Sequence, residues 1–129
     1  MKKTLGDIVF WFHIVFVLFW YALFFVPVNV WPDKILFHFY LTLGVVIHQI
    51  VWGLIIMPWT GRYRMVCMLT TIAQLLRGED IANPNNYDHS STREFLAKFG
   101  ITKVPHRIST IIAFIVLILV SIQYFTYYY

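Results

Sequence analysis

Two histidines interrupt long apolar runs. His13 sits in IVFWFHIVFVLFWYALFFVPV (residues 8–28). His48 sits in FHFYLTLGVVIHQIVWG (residues 37–53), which also carries His38, Thr42 and Gln49. Hydrocarbon satisfies none of these polar groups, so each must face protein, a cavity or a ligand. Three chemistries suit an intramembrane histidine. It can donate to carbonyls or hydroxyls on neighbouring helices and act as packing glue. A pair at similar depth can hold a b-type haem through axial imidazoles. A histidine that titrates near neutral pH can serve a quinone or a proton site.

Helical spacing sorts these residues. At about 100° per residue, His38 and Gln49 point within roughly 20° of each other, with Thr42 and Val45 on the same stripe. His48 is rotated by about 80° and flanks it. The second run therefore has one polar side, with His38, Thr42 and Gln49 as expected helix contacts. Phe39, Leu43 and Val46 on the opposite side are expected to face acyl chains. His48 lies roughly 15 Å from the cytoplasmic end of its helix, and His13 roughly 10 Å from the cytoplasmic start of the first, at about 1.5 Å per residue. His13 and His48 are thus the candidate cofactor-binding pair. His38 sits near the outer face, and His106 at the inner boundary.

These side chains need long helices to position them. A spanning helix takes about 20 apolar residues. Three runs qualify, over about 8–30, 35–59 and 107–126. The first is too long and bulky for a signal peptide, and no small-x-small cleavage site follows it. The fold class is therefore all-α integral membrane, one domain over 1–129 with residues 60–107 as a loop within it. In RMVCMLTTIAQLLRG, Met65, Met68, Leu69, Ile72, Leu75 and Leu76 recur at helical spacing. That predicts an amphipathic helix over about 63–77, lying in the interface or serving as a packed connector, stopped by Gly78. NPNN (83–86) signals a turn. Ser91 and Glu94 read as a capping box for a short cytoplasmic helix over about 92–99, ended by Gly100. Pro105 suits the first turn of the last helix.

Charge gives the orientation. Lys2 and Lys3 precede the first run, and Lys34 is the only basic residue between the first and second. Arg62, Arg64, Arg77, Arg93, Lys98, Lys103 and Arg107 lie between the second and third. The positive-inside rule places the N-terminus and the long loop in the cytoplasm and the C-terminus outside.

Composition narrows the function. The chain is 60% hydrophobic and 12% charged over 129 residues, against about half and a quarter in soluble domains. The net charge of +4 follows from residues flanking apolar runs, so it implies topology rather than nucleic acid. Cys67 is the single cysteine, so one chain builds neither a disulfide nor a cysteine-based zinc site. Asp88 and His89 are adjacent in the loop and do not complete a metal site. H-E-x-x-H, a phosphate loop and a nucleophile elbow are all missing.

The motifs FHIVFVLF (Phe12–Phe19), Trp31-Pro32, His38 and WGLIIMP (Trp52–Pro58) resemble an uncharacterised family of small bacterial inner-membrane proteins. The resemblance implies a multi-helix inner-membrane protein and no particular chemistry. The membrane anchors of succinate dehydrogenase offer an analogy of architecture, but their arginine-histidine and aspartate-tyrosine motifs are missing. The expected function is an accessory or structural subunit of a larger membrane complex, without catalysis of its own. The alternative is a redox-associated subunit binding b-type haem or quinone through His13 and His48. Expected partners are the lipid bilayer and other membrane subunits or further copies. The expected location is a bacterial or archaeal plasma membrane, or an organellar inner membrane.

Overall fold

A computed structural model describes residues 1–82, 91–104 and 107–129. The described residues form five helices and no strand: α1 (Lys2–Ala22), α2 (Lys34–Thr60), α3 (Met68–Leu76), α4 (Ser91–Lys98) and α5 (Ile108–Tyr128). Helices α1, α2 and α5 have 21, 27 and 21 residues and are apolar enough to cross a membrane.

The first helix is displaced from its expected range. It starts at Lys2 and stops at Ala22 rather than running from about 8 to 30. Phe24 and Phe25 donate to the carbonyls of Tyr21 and Ala22, so the chain tightens into turns. Pro27 then biases Val26 away from helix. Hydropathy counts LFFVPV as span because it is apolar, although it is a loop. Conversely, Lys2, Lys3 and Asp7 are charged yet helical. α2 absorbs Pro58 in its last turn and ends on Gly61, whose φ of 76° only glycine adopts without strain.

The long helices alternate in direction. Trp20 Nε1 donates to Thr42 Oγ1 at 2.8 Å, and Phe24 meets His38 edge to face with centroids 4.6 Å apart. Numbers rising along α1 pair with numbers falling along α2, so the two are antiparallel. α5 covers another side of α2. Phe39 stacks on Tyr124 at 4.3 Å, and Val46 joins Ala113, Val116, Val120 and Trp20 in a buried core. Phe39 and Val46 therefore pack on protein, against the expectation that they face acyl chains. A helical wheel separates polar from apolar sides but does not say which apolar side another helix covers.

Residues 63–77 are not one helix. After Gly61 the chain is extended through Cys67 and returns along α2; only Met68–Leu76 is helical. Gly53 permits this, because a Cβ there would run into the Arg64 carbonyl. Tyr63 Oη donates to the Ile50 carbonyl at 3.4 Å, and the Met68 N–H reaches His48 Nε2 at 3.2 Å. The return thus covers about 18 Å, the rise of the twelve residues from His48 to Thr60. α3 then runs back along α1. Thr70, Thr71, Ala73 and Gln74 are its buried residues, while Leu75 is exposed. The helix is polar inward because its neighbours offer polar partners: Trp52 Nε1 donates to Thr71 Oγ1 at 3.0 Å. Gly78 (φ 90°) ends α3, with Gly78 N–H on the Leu75 carbonyl and Glu79 N–H on that of Gln74, a Schellman pattern. Gly100 ends α4 in the same way. The expected NPNN turn, Pro105, His106 and the Asp88–His89 pair lie outside the described residues.

Candidate functional site

The site begins where α3 starts. The first N–H groups of a helix have no partner within it. His48 supplies one: Nε2 accepts from the Met68 N–H, and Cys67 Sγ lies 3.9 Å from the same nitrogen. A backbone N–H only donates, so neutral His48 carries its proton on Nδ1.

His13 is held differently. Its Nδ1 is 3.0 Å from Ser91 Oγ, and Ser91 Oγ is 3.1 Å from Thr70 Oγ1. One short chain of polar groups therefore ties α1, α4 and α3 together. All three residues are buried. Among the described residues Ser91 is the hydrogen-bond partner of the ring and takes Nδ1, which leaves Nε2 as the other polar atom.

Both histidines line one cavity of about 540 Å³ between α1, α2 and the start of α3. Phe12, Phe16, Trp20 and Tyr40 supply aromatic wall, Gly44 and Val45 the α2 side, and Cys67, Met68 and Leu69 the α3 end. A smaller cavity of about 70 Å³ lies behind it, lined by Arg64, Thr70, Ser91, Thr92, Ser109 and Thr110 among others. His13, Trp20, Gln49 and Cys67 border both.

The remaining polar residues of α2 divide. Thr42 is fully buried against α1 and accepts from Trp20. His38 is fully buried beside Phe24. The Trp20 carbonyl faces its ring, yet neither ring nitrogen is in hydrogen-bond geometry. Gln49 is half-buried and lies on the wall between the two cavities.

A charged clamp ties the start of α1 to the end of α3 and to α4. Arg77, just past α3, donates from Nη1 to both carboxylate oxygens of Glu94 at 2.9 Å. Its Nε and Nη2 lie 2.9 and 2.8 Å from Asp7 Oδ1. The guanidinium also sits 4.9 Å from the Phe10 ring centroid. Burial alone would lower the Arg77 pKa. Hydrogen bonds and charge from Glu94, then Asp7, outweigh it and hold the group above its ordinary value. Gly6 allows the approach, since a Cβ there would meet the Ala73 carbonyl and Arg77 Cγ at 2.8 Å each. The capping-box reading of Ser91 and Glu94 does not describe these side chains. Ser91 is the first helical residue and serves His13 and Thr70, and Glu94 serves Arg77.

Sequence reasoning missed Ser91, Thr70 and Trp20 as parts of the site and Arg77 as part of a clamp. The signal available was Gly6 and Gly53, small residues in apolar helices that mark close approach. The arrangement does not suit a haem held by both histidines. A ligating imidazole offers one nitrogen to iron and donates from the other. His48 Nε2 is taken by Met68, and freeing it would uncap α3. Among the described residues no three His, Cys, Asp or Glu side chains gather as a metal set. No family model, curated protein or solved structure matches the chain.

Proposed function

We propose that this chain is a small multi-pass membrane subunit that acts by contact within a larger membrane assembly, without catalysis of its own. The observation that carries this reading is the open side of the bundle. α1 packs on α3, and α2 on α5, while a 540 Å³ cavity separates much of α1 from α2. No more than 28% of the most apolar stretch of any long helix is buried inside the chain. Trp11, Phe12, Phe19 and Phe37 remain exposed. Large aromatic faces of this kind suit partner helices as well as lipid. In this reading the N-terminus and the clamp lie on the cytoplasmic side and the C-terminus outside, as the basic residues indicate.

The test is native size and neighbours. The tagged chain, extracted in mild detergent, is expected to migrate well above one 15.3 kDa chain plus its micelle. A photo-crosslinker at Phe12 or Phe37 is expected to capture protein in the native membrane. Migration as a monomer with no crosslinked protein refutes the reading.

A second reading is a lipophilic ligand site. The cavity favours it, because two histidines from different helices border one space of ligand size.

A further inference from the structure

We infer that the cavity between α1 and α2 takes a neutral lipophilic ring bearing two hydrogen-bond acceptors, a quinone-class headgroup, between His13 and His48. The inference rests on the second reading above, that this space holds a ligand, and names what the ligand must be.

Four observations lead to the class. The first is size: about 540 Å³ lies within the range of pockets that enclose small molecules. The second is the wall. Phe12, Phe16, Trp20 and Tyr40 are among the lining residues, and aromatic rings stack on a flat ring.

The third is charge. Among the described residues no Lys, Arg, Asp or Glu lines this cavity. A charged headgroup would lose its hydration in an apolar space where no charged side chain among the described residues pairs it. A neutral one avoids that loss.

The fourth is proton placement. The Met68 N–H on Nε2 fixes the proton of neutral His48 on Nδ1, a donor. The Ser91 hydroxyl occupies His13 Nδ1. When that hydroxyl donates, the proton of neutral His13 sits on Nε2, again a donor. In that arrangement the Thr70 hydroxyl donates to Ser91 Oγ, a direction that their 3.1 Å contact allows. Two donors from two helices then border one apolar space. Their natural complement is a ring with an acceptor at either side, as a quinone has in its two carbonyls.

The test uses the purified full chain in detergent and two labelled probes with the same alkyl tail. One is a short-chain ubiquinone analogue, and the other an alkylbenzene with no carbonyl. Retention is measured at equilibrium, with protein-free micelles subtracted. The quinone analogue is expected to bind saturably and at least about tenfold more tightly than the alkylbenzene, the worth of one hydrogen bond or more. His13→Leu and His48→Leu are each expected to weaken the quinone about tenfold and the alkylbenzene far less. His13→Gln and His48→Gln, which keep a donor, are expected to restore most of the loss. Gly44→Phe, which fills the space from the α2 wall, is expected to abolish both probes.

Equal binding of both probes, indifferent to the histidines but lost in Gly44→Phe, overturns the quinone class and leaves an apolar ligand site standing. Binding of neither probe by the folded parent chain overturns the ligand reading as well.

Discussion

The Arg77 clamp gives the most direct measure of what holds the start of α1, the end of α3 and α4 together. Arg77→Met keeps the aliphatic stem against Gly6 and removes the charged fork. The arm to Glu94 is bidentate, with both side chains under a third exposed (17% and 27%); charge-assisted bonds in such a setting contribute about 1.5–2 kcal/mol. The arm to Asp7 is worth less, because that carboxylate is 49% exposed and solvent screens it to about 0.5 kcal/mol. Loss of the cation over buried Phe10 removes about 0.5–1 kcal/mol more. The substitution should therefore lower stability by about 3 kcal/mol. The assay is reversible SDS unfolding in mixed micelles, with Glu94→Gln alone and the double variant completing a cycle. The single variants should be strongly non-additive, with a coupling of about 1.5 kcal/mol. The sign with pH follows from the direction of the shift. A cation whose folded pKa is raised contributes below its unfolded pKa and loses that contribution only above it. The guanidinium should thus keep its charge from neutral far into alkaline solution, with no loss of the clamp on its account. Additive single variants, or Arg77→Met within about 0.5 kcal/mol of the parent, would mean that the clamp is a solvated charge cluster of no net worth.

The two glycines of α2 should behave in opposite ways. Gly53→Ala pushes a Cβ into the Arg64 carbonyl and should cost about 1–3 kcal/mol, seen as new protease sensitivity over residues 62–67. Gly44→Ala meets nothing within 4 Å and should be neutral or stabilising by up to about 1 kcal/mol; equal losses at both positions would contradict the return along α2. Thr42→Val leaves the buried Trp20 N–H without its acceptor and should cost about 1–2 kcal/mol in the same unfolding assay, with Thr42→Ser restoring most of it. Ser91→Ala cuts the link between His13 and Thr70. It should speed hydrogen exchange in α4 by about tenfold if the link contributes about 1.4 kcal/mol, and unchanged protection would argue that α4 is held by its other contacts, Glu94 on Arg77 and Phe95 on Trp11.

By itself the sequence determined the class of the protein. Three apolar runs of spanning length require helices, because backbone polar groups in hydrocarbon must pair within their own segment. The period of 3.6 residues also set His38, Thr42 and Gln49 on one stripe, a local property of one helix. LFFVPV reads as span by hydropathy, and the turns after Ala22, next to Pro27, remove it. Other features were decided by chain that is distant in sequence. The stripe of Met65, Leu69, Ile72 and Leu76 reads as an apolar face, yet α3 buries Thr70, Thr71 and Gln74, because Trp52 and Ser91 wait there as partners. His48 is an ambiguous histidine in a wheel and a helix cap in the folded chain, since Met68 reaches it only through the extended return past Gly53. The cavity between His13 and His48 has no local signature. It exists because α1 and α2 meet at Trp20 and Thr42 while α3 holds α1 at the other end through Gly6 and Arg77. Periodicity reports which side of a helix is polar; what stands opposite that side is a property of tertiary packing.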